Sequence, residues 1–464
     1  MIHIIGGGLA GSEAAWQAAS LGVEVCLYEM RPKQATAVHQ TDRLAELVCS
    51  NSFRGDTLTS AVGLLKAEMR QLKSLVMKIG DQTSVPAGTA LAVDRTQFAD
   101  QMTSALEAHP LVTIQRKEIH EIPPPCDPLE PVIIATGPLT SASLSDEVAR
   151  FVGTDHLYFY DAISPIVLAD SIDQTVTFRA SRWDREVNQN DRTLLSDSDS
   201  VRGDYLNCPL TREEYINFVE SVQSAEVAAI HDFDNTKFFE GCLPIEVMAS
   251  RGIDTLRFGP MKPIGLVDPH TSRESYAVVQ LRQDNLAADH FSLVGFQTQL
   301  KWAEQERVLR LIPGLANAKF VRFGMIHRNT YINAPSVLQE TWQTQRRADL
   351  FFAGQISGVE GYVESAASGL IAGLNAAALC HGQVPRSLPR TTALGALAYY
   401  VAHADSSNYQ PTNMTFGLLP PLIKGPRRRS MRRQAMAERA LDDLSVWCQD
   451  SGRQVNVRPP AFIS

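Results

Sequence analysis

Two groups of residues in this chain have types and spacing that can do chemistry: glycines arranged to receive an anion, and cysteines able to act as nucleophiles. The glycines are Gly6, Gly8 and Gly11 in the run Gly6-Gly7-Gly8-Leu9-Ala10-Gly11. They follow a short apolar stretch (Ile2, Ile4, Ile5) and open a helical pattern over residues 12–21. A second apolar run, 23–28, ends at Glu29. Strand, glycine turn, helix, strand and acid in that order form the dinucleotide-binding pattern. Gly6 permits the tight turn, Gly8 lets the backbone approach a pyrophosphate, and Gly11 lets the helix lie close to the strand. The free N–H groups at the helix start attract the anion. Glu29 is spaced to accept hydrogen bonds from ribose hydroxyls. Its carboxylate favours a free 2′-hydroxyl, hence FAD or NAD rather than NADP at this turn.

The seven cysteines, at 26, 49, 126, 208, 242, 380 and 448, are scattered and include no C-x-x-C pair. That argues against zinc and against dithiol redox chemistry, so no metal is expected. Free thiols in a reducing compartment are the expectation. Taken singly, each cysteine is more readily a small buried apolar residue than a nucleophile.

A chain of 464 residues suggests two or three domains. With 44% hydrophobic and 20% charged residues it can bury a large core. No stretch is expected to span a membrane. The glycine turn begins at position 6, where a hydrophobic leader would have to lie, so a cytoplasmic protein is expected. The net charge of −8 argues against indiscriminate nucleic-acid binding, though not against a local basic face.

Periodicity places the positioning elements. Helices are expected over 59–79, 96–109, 211–224 (with Thr211 and Glu214 as a capping box) and 301–311. Strands are expected over 112–122, 132–134 and 350–352. Shorter ones are expected near 165–167, 175–178, 205–208, 276–281 and 291–294. The polar segment 182–204 reads as a solvated loop. The strand at 132–134 runs into Ala135-Thr136-Gly137, a strand end that lies against FAD in two-dinucleotide flavoproteins. The strand at 350–352 ends at Gly354. A small-residue helix over 360–379 follows, suited to close packing or to presenting its N-terminal dipole to a cofactor. The expected fold is α/β: a Rossmann-like FAD-binding domain in two parts, 1–157 and 321–464, with a smaller α/β domain inserted at 158–320. Residues 424–433 carry six basic side chains in ten, either a solvated face or a phosphate contact.

Several longer motifs carry a resemblance. Residues 47–54 (LVCSNSFR), 85–95 (VPAGTALAVDR), 205–209 (YLNCP), 238–246 (FFEGCLPIE), 251–266 (RGIDTLRFGPMKPIGL), 352–369 (FAGQISGVEGYVESAASG) and 413–420 (NMTFGLLP) occur in this order. The chain thereby resembles the folate- and FAD-dependent tRNA (uracil-5-)-methyltransferases over most of its length. It is more distantly similar to the glucose-inhibited-division-protein-A-like tRNA modification enzymes, which share the FAD fold.

The resemblance implies that FAD is reduced by NADH or NADPH, takes a one-carbon unit from 5,10-methylenetetrahydrofolate, and delivers it to C5 of a uridine in the T arm of tRNA. Uracil C5 is a poor nucleophile, so a thiolate adding at C6 is needed, and the base must leave its stack. Cys242 matches the position of that nucleophile. Cys49 matches a second catalytic cysteine, placed near the flavin and assigned either to proton abstraction or to protecting the methylene–flavin adduct. Gly137, Gly354, Gln355, Gly361 and Tyr362, with the 6–11 turn and Glu29, are the expected cofactor contacts. His327 and Arg328 are candidates for folate, and Lys262 for folate or RNA phosphate. The segment 185–200 is longer than the family pattern. Two other readings are a flavin-containing RNA-binding protein without methylation, and the same chemistry on a ribosomal RNA uridine.

Overall fold

The computed structural model describes residues 1–36, 38–126, 129–153, 157–184, 203–228 and 243–451, with the side chains of 157–161 and 326–328 outside that description. The chain is organised around a five-stranded parallel sheet. Its order is Leu350–Phe352, Val132–Ile134, Ile2–Ile5, Val25–Glu29, Val112–Arg116. The central strands are apolar on both faces, as a sheet covered on both sides requires. Ile2, Ile4, Leu27, Ile133, Ile134, Phe351 and Phe352 are fully buried. Strands from residues 2 and 350 sit in one sheet, so both ends of the chain build the same nucleotide-binding layer.

The helix Leu9–Ser20 packs on this sheet beside the helix Tyr362–Cys380. Their approach explains the small residues of the later helix. A Cβ on Gly369 would sit 2.0 Å from the Ala10 carbonyl oxygen, and one on Gly373 would sit 2.5 Å from that of Ala14. By length and composition alone Tyr362–Cys380 could cross a membrane, but 83% of its apolar window is buried inside the protein. It is a core helix.

A second, six-stranded sheet has the order Phe178–Ala180, Tyr205–Leu210, Ala277–Gln283, His290–Leu293, Ile166–Leu168, Phe320–Arg322. The helix Arg212–Ser224 covers it, and its capping box forms as expected: Thr211 caps Glu214 N–H while Glu214 returns to the Thr211 backbone. This sheet has its own core, including Tyr215, Phe218, Leu281 and Phe296. A small sheet of Ser52–Gly55, Ala90–Val93 and Ser84–Val85 lies beside the first.

Two expectations are corrected. The helix expected over 59–79 is two helices, Ala61–Gln71 and Leu75–Gln82. The break falls at Lys73, which adopts φ +59°. Ser74 caps the second helix at Met77 N–H, and buried Glu13 accepts from Ser74 Oγ and Val76 N–H, both at 2.9 Å. That polar knot outweighs the continuous apolar period. The strand expected over 112–122 stops at Arg116, because residues beyond it have no partner strand. The segment 185–200 lies outside the described residues.

Candidate functional site

The fingerprint turn has the geometry its glycines predict. Gly6 takes φ +110°, and a Cβ there would lie 2.5 Å from the Ala135 carbonyl oxygen. At Gly11 a Cβ would lie 1.9 Å from the Gly6 carbonyl oxygen, so only glycine lets this helix start so close to the strand. Gly8 is different: a Cβ would meet nothing within 4 Å. Its open side faces the cleft, and the helix behind it starts with no side-chain cap. Unpaired N–H groups and a clear approach suit a pyrophosphate.

Glu29 is 5% exposed and accepts from Gly7 N–H (3.1 Å) and Arg31 N–H (2.9 Å). Arg31 also pairs with it through Nε (2.9 Å) and reaches Glu46 at 3.0 Å. Burial pushes the Glu29 carboxyl up, but the Arg31 hydrogen bonds and charge, with the two backbone donors, hold it below the usual carboxylate range. Glu29 is therefore an ionised acceptor. Arg31 is engaged by two carboxylates rather than waiting for a 2′-phosphate.

Around this turn an open cleft is lined by segments far apart in sequence. They include the 5–10 turn, residues 135–141 with the φ +65° Gly137, Gly354 with Gln355, and Tyr362. A long, narrow dinucleotide fits such a lining, and the open faces of Gly8 and Gly137 leave its path clear. Gly354 N–H donates to Ser368 Oγ at 2.6 Å and Gln355 Nε2 to Glu360 at 2.6 Å, which fixes the 354–357 turn. Gly361, at φ +107°, begins the helix whose first residue is Tyr362. Of the residues the sequence nominated for a cofactor, Gly6 to Ala10, Glu29, Gly137, Gly354, Gln355 and Tyr362 line this cleft, while Gly11 and Gly361 shape its turns without lining it.

The motif at 47–54 is pinned beside this cleft from three sides. Tyr362 Oη accepts from Cys49 N–H (2.8 Å) and Ser50 N–H (3.2 Å). Arg95 donates to the Leu47 carbonyl at 3.0 Å while pairing with Asp284 at 2.9 Å. Arg282, from the six-stranded sheet, donates to Asn51 Oδ1 and Ser50 Oγ, both at 2.8 Å. Asn51 in turn donates to the carbonyls of Val93 and Gln283. Arg54 pairs with buried Glu364 and donates to Asn413 at 2.8 Å, so the 352–369 and 413–420 motifs meet the 47–54 motif here.

The charges of Arg95, Arg282 and Arg322 all bear on Cys49. Burial draws the Arg282 and Arg322 guanidinium groups down, and for Arg95 the partner Asp284 reverses that effect. Burial, with Cys49 nearby, pushes the Tyr362 phenol well above its ordinary range, so it stays neutral.

The other candidates are placed unevenly. Cys242 lies outside the described residues; Glu246, four residues on, accepts from Thr298 Oγ1 (2.9 Å) and Gln299 N–H (2.7 Å). His327 and Arg328 sit on the strand Ile326–Tyr331, opposite Asp161 and Tyr160, with side chains outside the description. That strand is tied to the cleft rim, since Thr330 N–H reaches the Pro138 carbonyl at 3.4 Å. Lys262 is exposed and does not line the cleft. Cys208 is buried, which pushes its thiol far up and makes it a packing residue. No disulfide joins the described cysteines, and no metal-binding cluster occurs among the described residues.

Sequence reasoning missed Arg31, Thr36, His39 and residues 117–119, all of which line the cleft. His39 shares a 2.7 Å hydrogen bond with Thr36, and burial with the charge of Arg31 draws it down to about 4, so it is neutral near pH 7. The one available signal was Arg31, two residues past Glu29. It also missed Arg282, which nothing in a lone arginine on a strand would reveal.

The family model described as glucose inhibited division protein A matches residues 1–384. A methylenetetrahydrofolate–tRNA-(uracil-5-)-methyltransferase TrmFO from Enterococcus faecalis is 54% identical over 441 residues, covering 95% of this chain and 97% of the relative. One from Symbiobacterium thermophilum is 54% identical over 450 residues, covering 96% of each. Among solved structures, GidA of Aquifex aeolicus superposes with a TM-score of 0.69 at 18% identity, covering 96% of this chain and 73% of that one. That likeness is one of fold.

Proposed function

The chain belongs to the family of methylenetetrahydrofolate–tRNA-(uracil-5-)-methyltransferases, and from that membership we infer how its residues are used. It methylates uracil C5 in tRNA, with a folate as carbon donor and FAD as cofactor; an RNA-binding protein without methylation is not favoured. When bound, FAD supplies the ring that carries the one-carbon unit and the reducing equivalents.

Gly6 to Gly11 hold the pyrophosphate on the helix N-terminus, and Glu29 accepts from the ribose. Gly137, Gly354 and Gln355 line the path toward the reacting end. Tyr362 fixes the backbone of Cys49 there, and Cys49 removes the C5 proton of the uracil. Cys242 adds as thiolate at C6, which raises the electron density on C5, and leaves when the product forms. His327 and Arg328 hold the folate by stacking and by pairing with its carboxylate. Lys262 meets RNA phosphate. NADH or NADPH is the reductant, the target lies in the T arm, and the work is done in the cytoplasm. Residues 158–320 act as an inserted domain that closes on the cysteine loop through Arg282 and Asp284.

The observation that carries this reading is Tyr362, which lines the FAD cleft and grips the Cys49 loop at once. Purified protein is expected to be yellow and to form 5-methyluridine in unmodified tRNA only when methylenetetrahydrofolate and NADH or NADPH are supplied. Mapping 5-methyluridine in RNA from a deletion strain tests the target: loss from the tRNA T arm supports the reading, and loss confined to ribosomal RNA contradicts it.

A further inference from the structure

The basic run at 424–433 is used by none of these steps, yet the structure gives it an unusual setting. Arg428 precedes the helix Arg429–Asp450, which begins with no side-chain cap and no acidic residue in its first turn. Arg428, Arg429 and Arg432 therefore crowd positive charge onto the positive end of the helix dipole, where it is unfavourable. Among the described residues none of the six basic side chains pairs with a carboxylate. Arg432 and Arg433 instead donate to the carbonyls of Arg427 (3.3 Å) and Thr59 (3.4 Å). Lys424, Arg427, Arg428, Arg429 and Arg432 are exposed. Such a concentration in a chain of net charge −8 is not a general surface property.

Beside these arginines lies an open groove of about 1280 Å³, lined by Phe416, Leu422, Arg429, Arg432, Arg433 and Met436. The Arg433 guanidinium stands 5.4 Å from the Phe416 ring centre, and Ile423 at its edge is wholly exposed. Guanidinium forks match phosphate oxygens, and the apolar wall suits ribose or a base face. The segment that lines the groove leads back along the chain to a contact with the 47–54 loop. Phe416 follows three residues after Asn413, which accepts from Arg54, five residues beyond Cys49.

We propose that this groove is a docking surface for the phosphate backbone of the tRNA substrate. The proposal rests on tRNA being the substrate. An anionic membrane surface would also satisfy the charges, but it offers no ribose or base face for the apolar wall of a concave groove.

The test uses the full-length holoenzyme and the double variant Arg429→Glu/Arg432→Glu, with tRNA affinity measured across a salt series. The expected result is a loss of at least about tenfold in affinity near 0.15 M salt, with the slope of log K against log salt shallower by about one for each phosphate no longer neutralised. KM for tRNA rises more than kcat falls, and FAD content is full. Tm is unchanged or higher, because acidic residues now face the helix N-terminus. The Arg429→Lys/Arg432→Lys variant keeps the slope. Unchanged affinity and slope in the Glu variant overturn the proposal. So does an affinity loss that comes with lost FAD and a lowered Tm. So does binding to phosphatidylserine vesicles that the variant abolishes while tRNA binding persists. A wild-type protein with no salt-dependent tRNA binding would overturn the tRNA reading as well, which separates the two failures.

Discussion

The phenol oxygen of Tyr362 accepts a 2.8 Å hydrogen bond from the backbone N–H of Cys49, across 313 residues of sequence. A second bond, from Ser50 N–H, makes the phenol a clamp on the turn that carries the cysteine. Because Tyr362 also lines the dinucleotide cleft, the sulfur-bearing loop and the cofactor share one reference point.

Replacing Tyr362 with Phe removes the acceptor for both N–H groups. A buried donor left unsatisfied costs about 1–3 kcal/mol. Tm is expected to drop by several degrees. 5-Methyluridine formation should fall at least about tenfold, as expected for a misplaced reacting group. FAD content should stay near one per chain. A wild-type rate in Tyr362→Phe would mean that the clamp plays no part in turnover.

Gly8 and Gly11 should fail in different ways. Gly8→Val adds a side chain into open space, so the apoprotein should fold with a near-wild-type Tm but lose FAD affinity by about a hundredfold or more. Gly11→Ala puts a methyl 1.9 Å from the Gly6 carbonyl oxygen and should destabilise the apoprotein itself by about 1–3 kcal/mol. Paired melting and flavin-titration measurements distinguish them; identical behaviour of the two variants would contradict the roles assigned to each glycine.

The Arg95–Asp284 pair joins the cysteine loop to the six-stranded sheet, and both side chains are nearly buried. Asp284→Asn leaves the guanidinium buried beside Arg282 without its carboxylate, which should cost about 3–5 kcal/mol in denaturant unfolding. The double variant Arg95→Met/Asp284→Leu should recover part of that loss. A cost below about 0.5 kcal/mol for Asp284→Asn would place the pair among ordinary surface contacts.

Burial pushes the Glu68 carboxyl up to about 8 from its ordinary 4.5, against the pull of the Ala393 and Leu394 N–H groups it caps. The folded protein therefore holds this proton more tightly than the unfolded chain. The stabilisation is complete below about pH 4.5 and is lost as pH rises through about 8. At roughly 1.4 kcal/mol per unit the effect is a few kcal/mol at most. Melting curves between pH 5 and 8 should show wild-type Tm falling more steeply than that of Glu68→Gln. Parallel curves would refute the assignment.

Much of the nucleotide-binding layer was legible because its signals are local. Gly6, Gly8 and Gly11 declare a turn whose steric demands lie within a few residues, and the apolar runs at 2–5, 25–29, 132–134 and 350–352 leave little choice but a buried parallel sheet. The small residues of Tyr362–Cys380 were ambiguous until the Ala10 and Ala14 carbonyls were seen against Gly369 and Gly373. What stayed hidden depends on partners distant in sequence. The break at Lys73 is set by Glu13, some sixty residues earlier, and Arg282 becomes part of the cysteine loop only when two sheets meet. Periodicity reports which face is buried, not which polar group waits across the interface.

We propose that carbon from the folate reaches uracil C5 with Cys242 as the nucleophile. The most direct measurement supplies isotopically labelled methylenetetrahydrofolate, NADPH and an unmodified tRNA transcript to wild-type and Cys242→Ala holoenzymes, and counts label in 5-methyluridine after digestion. The expected result is label transfer by wild type and none by Cys242→Ala, with equal FAD in both. Label transfer at the wild-type rate by Cys242→Ala would contradict the account.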